Sequence, residues 1–210
     1  MENKLTRIRK TLREYVERSI VPQYAKFDAA HREDHARAVM ERSMALAEAV
    51  GADVEMAYAV AAYHDLGLRF GREQHHRHSA RLLLADGRLR EWFTEEQLAI
   101  MAGACEDHRA SLEHEPRSIY GRIVAEADRL IDPETVVRRT VQYGLAHYPE
   151  LSREGHYERM VAHLHEKYDY GGYLRLWIPG SPNASGLEEL RRLLRAPHRL
   201  RALFNIFYGE

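Results

Sequence analysis

The stretch AYAVAAYHDLG, residues 57–67, holds no charged side chain until its last residues, where His64 and Asp65 follow seven small or aromatic ones. Apolar on every side, it reads as a helix buried all round, the centre of a helical fold. Asp53 stands where an N-cap would start this helix and Gly67 where it would stop, so the predicted span is Val54 to Leu66.

Working outward, the same helical period recurs. Leu5, Ile8, Leu12 and Val16 are spaced by three and four, giving an amphipathic first helix that Pro22 ends or bends. A second helix is predicted from Glu33 to Val50, closed by Gly51, with Val39, Leu46 and Val50 on the stripe that also carries His35. Further helices are expected near 75–86, 95–108, 118–131, 134–147, 153–168 and 185–204. Thr94 with Gln97 makes a capping box, and Pro133 takes a first-turn position. Only Tyr173 to Ile178 alternates like a short extended piece, between loop signals at Gly171-Gly172 and Pro179 to Ser185. The fold class expected is all-α: one domain over 1–210, a compact bundle at about 25–135 and a C-terminal helical extension at about 136–210.

Composition narrows the function classes. With 45% hydrophobic and 30% charged residues, the chain is an ordinary globular protein, long enough to bury a core without staples. Its formal net charge of −1 gives no overall pull toward nucleic acid or membrane. Cys105 is the only cysteine, so neither an intrachain disulfide nor a thiolate zinc cluster can form. Residues 1–19 lack the apolar run of a signal peptide, and no window is apolar for long enough to cross a bilayer; a cytoplasmic location is expected. There is no Walker-type loop, and no serine sits in a nucleophile-elbow setting.

The chain has 13 histidines, and His31, His35, His64, His75, His76, His78, His108 and His114 crowd one stretch. Imidazole and carboxylate are the common ligands of Zn, Mn and Fe. At the end of an apolar helix, where the backbone turns, His64 and Asp65 can converge on one ion; local hydrogen bonds satisfy such a pair about as often. His35 on an apolar stripe is usually a satisfied core histidine. Asp128, in IVAEADRLI, is met equally well by an arginine such as Arg129 or Arg138. Three such anomalies on helices that share a core favour a metal.

His35, His64-Asp65 and Asp128, in that order, resemble the H…HD…D pattern of the HD-domain superfamily of metal-dependent phosphohydrolases, over about residues 30–135. EDHRAS, EPRSIYGRIVAEADR and GGYLRLWIP resemble a small, largely uncharacterised subgroup of it. The resemblance implies a divalent metal (Mn, Fe, Zn, Co, Ni or Mg) held by His35, His64, Asp65 and Asp128. Members with two ions add histidines between the doublet and the last Asp, and His75 and His108 sit at matching places. His76 or His78 can substitute for His75, and a solvated helix start is the plainer reading of that cluster. A two-ion site is preferred over a one-ion site.

The implied reaction is hydrolysis of a phosphate ester of a small molecule by metal-activated water, with a nucleotide the first candidate. Asp65 is assigned a catalytic role, and Glu106 and Asp107 beside His108 are candidate bases or supporting partners, although a solvated acidic pair is as good a reading for one of them. Arg109, Arg72 and Arg117 are the expected phosphate-binding residues, Arg109 first. The segment 109–117 is expected to close over the substrate. Partners expected are that small phosphorylated molecule and, in an unspecified oligomeric state that allows a homodimer, the chain itself. Two alternatives stand beside this reading: an HD-type di-iron oxygenase and a non-catalytic ligand-binding module.

Overall fold

The structure is a computed structural model that describes residues 8–27, 31–109 and 114–210. It is all-α, with ten α-helices and no strand among the described residues. The chain divides into two compact units, Met1–Asp128 and Arg129–Glu210.

In the first unit, α1 (Lys10–Tyr15) runs into a π turn and, at Pro22, a 3-10 turn over Val21–Lys26. The proline thus bends the segment as its fixed φ and missing N–H require. Leu5 lies outside the described residues, whereas Ile8, Leu12 and Val16 are buried. Helix α2 (Glu33–Val50) ends at Gly51, whose φ of 70° is the left-handed conformation glycine adopts without penalty. Val50 departs from its expected place on the buried stripe: it is exposed, and Ala36, Val39, Met40, Ser43, Met44 and Ala47 make the buried face with Leu46.

Helix α3 (Val54–Tyr63) is the central element. Asp53 caps it by accepting from the N–H groups of Glu55 and Met56 at 2.8 and 3.1 Å, and every side chain from Met56 to Tyr63 is buried. The α-helix stops at Tyr63, three residues before the predicted end, and the chain continues as a 3-10 turn, Leu66–Phe70. Helices α4 (His75–Ala85), α5 (Glu95–Asp107, with the expected Thr94/Gln97 capping box) and α6 (Ile119–Ala127) complete the unit. Helix α6 is shorter than the predicted 118–131 and ends just before Asp128.

The second unit holds α7 (Pro133–His147), α8 (Arg153–Tyr168), α9 (Pro182–Leu194) and α10 (Pro197–Tyr208). The single helix predicted over 185–204 is two, because Pro197 cannot donate into a continuing ladder and opens a new helix instead. Residues 173–178 form no strand. The N–H groups of Tyr173 and Leu174 bond back to Glu166 and Lys167 at 3.1 and 3.0 Å, closing the end of α8. No helix among the described residues is long and apolar enough to cross a membrane.

Candidate metal centre

The His64-Asp65 doublet occupies the turn where α3 gives out. His64 keeps helical angles, and Asp65, at φ −110° and ψ 2°, turns the chain away. Two buried tyrosines brace this turn. The Tyr24 hydroxyl donates to Ala62 O at 3.0 Å and lies 3.4 Å from the Asp65 N–H, while the Tyr63 hydroxyl donates to Asp86. Beyond the turn, Gly67 lets α4 come in close. A Cβ there would stand 2.0 Å from His75 O, and the Gly67 N–H donates to Ser79 Oγ at 2.9 Å. The absent side chain is what brings the first residue of α4, His75, beside the doublet.

Three helix C-terminal ends (α3, α5 and α6) and the starts of α2 and α4 then deliver six side chains to one place. Asp65 Oδ2 lies 3.3 Å from His64 Nε2 and 3.8 Å from His35 Nε2. Asp128 Oδ1 lies 3.2 Å from His35 Nε2 and 3.7 Å from His64 Nε2. The other Asp65 oxygen, Oδ1, faces His75 Nε2 at 3.3 Å and His108 Nε2 at 3.4 Å. Two groups result, His35/His64/Asp65/Asp128 and Asp65/His75/His108, and within each the ligating atoms lie within 4.8 Å of one another. Ligands about 2.0–2.2 Å from an ion stand about 3 to 4.4 Å apart, so these separations suit one ion per group.

The hydrogen bonding supports that fit. His64, His75 and His108 each donate Nδ1–H to the carbonyl three residues earlier, Ala61, Arg72 and Cys105, all at 2.7 Å. Such a bond fixes the tautomer and leaves an Nε2 lone pair aimed at the cluster. His75 Nε2 and His108 Nε2 face each other at 3.1 Å, and two bare lone pairs that close repel unless a proton or a metal ion lies between them. His35 Nε2 and His64 Nε2 are buried atoms without a hydrogen-bond partner among the described residues, and buried polar atoms are seldom left so. The cluster is compatible with divalent metal binding.

Its electrostatics also favour a cation. Burial works against a charged His64, but the Asp65 and Asp128 carboxylates outweigh it and lift this histidine to about 10. Burial would raise both carboxyls, yet the neighbouring imidazoles hold Asp65 and Asp128 well below the usual carboxylate range. His75 is shifted down, by burial and then by the charge of His108. The first group therefore attracts positive charge strongly, and in the second His75 resists protonation.

Among the three crowded histidines, His75 is the one that reaches the cluster. His76 is buried elsewhere, and His78 packs against the Phe70 ring at 5.0 Å. The acidic pair beside His108 is engaged by Arg117. Arg117 donates from its backbone N–H to Asp107 Oδ2 at 2.7 Å, from its guanidinium to Asp107 Oδ1 at 2.9 Å, and to Glu106 Oε2 at 2.6 Å. These three residues are brought to one another, and none belongs to either ligand group. The Arg117–Asp107 pair anchors the chain leading into α6. Arg109 donates to Glu73 O at 2.9 Å, beside the start of α4, and its charge helps burial push His76 down to about 4. Arg72 Nη2 lies 3.2 Å from His31 Nδ1. Residues 110–113 of the expected closing segment lie outside the described residues.

Sequence reasoning missed Tyr24, Gly67 and the three supporting carbonyls. The carbonyls carry no residue signature, and Tyr24 is one of 12 tyrosines. Gly67 was read only as a helix stop, and its close approach to α4 appears only in three dimensions. The family model described as HD domain matches residues 32–131. No curated protein and no solved structure matches the chain.

Proposed function

We propose, on the match of residues 32–131 to the HD-domain family, that the chain is a phosphohydrolase that cleaves a phosphate ester of a small molecule at a two-ion centre. In this reading His35, His64, Asp65 and Asp128 would hold one divalent ion, and Asp65, His75 and His108 would hold the other. The observation that carries it is the division of labour at Asp65, whose two oxygens face two separate sets of histidines. A bound divalent ion acidifies a water and neutralises charge on a phosphoryl oxygen.

The chain's own residues do the rest. The carbonyls of Ala61, Arg72 and Cys105 hold three imidazole rings with Nε2 toward the cluster, so no ring rotation is needed when a cation enters. His64 and His108 seal the protein side of the cluster, 0% and 2% exposed at their side chains. His35, His75 and Asp128 keep 18%, 13% and 29% exposed, which marks the face by which a phosphoryl group arrives. Nucleotides are the first substrates to test.

The test is phosphate release by protein loaded with Mn²⁺, across nucleoside monophosphates and other small phosphate esters. Activity should fall by at least about a hundredfold in His64→Ala and Asp128→Ala, the scale expected for losing a ligand of the catalytic ion. Release that persists unchanged in both variants would assign the activity to a contaminant.

A further inference from the structure

A cavity of about 490 Å³ opens between α7 and α8, wholly within the second unit, and its volume suits one small molecule. It shares no residue with the candidate metal centre. Helix α7 contributes Arg139, Thr140 and Tyr143 to its lining, and α8 contributes Arg159 and His163. Tyr148, from the turn between the two helices, joins them.

Arg159 is built into this wall. Gly144 of α7 makes room for it: a Cβ there would stand 2.6 Å from Arg159 Nη2 and 2.9 Å from Nε. Nη2 donates to Thr140 O, and the guanidinium carbon stands 5.4 Å from the centre of the Tyr148 ring and 6.0 Å from that of Tyr143. What holds the guanidinium is thus uncharged. Among the described residues no carboxylate pairs with Arg159 or Arg139, and Arg159 Nε is buried without a hydrogen-bond partner. A partly buried cation among neutral groups is costly until an anion meets it.

The field in the cavity is positive. Burial pushes His163 below the ordinary histidine range, and the charges of Lys167 and Arg159 push it further down. Glu166, exposed on the same helix, acts in the opposite sense and more weakly than either cation. Around these charges the lining is apolar or aromatic, and Leu130, Tyr143 and Tyr148 are large side chains left exposed there.

We propose that this cavity binds a small phosphate monoester that carries a planar ring, of mononucleotide size, with Arg139 and Arg159 on the phosphate and the ring against Tyr143, Tyr148 and Leu130. Two guanidiniums, one from each helix, match a phosphate dianion better than a singly charged carboxylate, and each fork fits phosphate oxygens. The site is additional to the metal centre, and the inference does not rest on the hydrolysis proposed above.

Calorimetry on the full chain tests it, with chelator present so that neither bound ions nor turnover contribute. The 5′-monophosphates of adenosine, guanosine, cytidine and uridine are compared with the matching nucleosides, which lack the anion, and with ribose 5-phosphate, which lacks the ring. At least one nucleotide should bind about tenfold or more tighter than both of its counterparts at low salt. Arg139→Ala, at an exposed position, should weaken that nucleotide about threefold or more without changing Tm, and Arg159→Gln should weaken it about tenfold or more. Arg139→Ala decides the matter if Arg159→Gln does not fold. Equal binding within every set, or a preference that either substitution leaves undiminished, overturns the inference.

Discussion

Replacing Gly67 by alanine probes how the fold sets the second ligand group. The new Cβ would meet His75 O at 2.0 Å, Ser79 N at 2.7 Å and His78 Cβ at 2.8 Å, two of them backbone atoms that no rotamer change can move. Ordinary contact begins near 3.4 Å, so the first turn of α4 must retreat by about 1.4 Å. His75 Nε2, now 3.3 Å from Asp65 Oδ1, would then stand up to about 4.7 Å away, beyond the reach of two bonds of about 2.1 Å to a shared ion. The overpacking itself costs about 1–3 kcal/mol, or roughly 3–10 °C in Tm. The expected outcome is a folded protein that keeps one ion of two, read by elemental analysis beside circular dichroism. Gly87→Ala, with no atom within 4 Å of the added carbon, is the control. Two ions held at unchanged affinity by Gly67→Ala would refute the packing argument.

Other expected outcomes follow from the same geometry. Metal uptake should release a proton from His64, because the carboxylates raise this histidine to about 10 and a ligand must be neutral. The raised value means the metal-free protein holds that proton from below pH 6.5 up to about 10, so apparent metal affinity should climb about tenfold per pH unit through that window; calorimetry in buffers of differing ionisation enthalpy reads the released proton directly. Arg117→Ala should lower stability by about 1–3 kcal/mol in denaturant melts, by leaving the buried Asp107 carboxylate without its partner. A raised KM with unchanged stability would place Arg117 at the substrate. Tyr24→Phe removes the hydroxyl between Ala62 O and the Asp65 N–H, and should cost about 1–2 kcal/mol together with weaker metal retention.

Much of the fold was legible because it rests on local chemistry. The uncharged run before His64, the Asp53 cap, the Thr94/Gln97 box and the Gly51 stop each encode an element in a few neighbouring residues. What failed depended on more than neighbours. Pro197 split a helix whose apolar period runs on through it, and α6 ended at Ala127 where periodicity continued to Ile131. The six proposed ligands stood out as histidines and carboxylates in apolar or crowded settings, and the structure brings all six together. Beside them, Arg117 hydrogen-bonds to Glu106 and Asp107, a pairing that residue types alone do not reveal.

The central claim is that Asp65 serves two ions, and metal stoichiometry tests it most directly. Protein purified without chelator and loaded with Mn, Fe, Co, Ni or Zn should hold about two ions per chain by elemental analysis, His75→Ala should hold about one, and Asp65→Ala should hold none. Wild-type stoichiometry in Asp65→Ala, or wild-type protein that takes up none of these metals, would contradict the account.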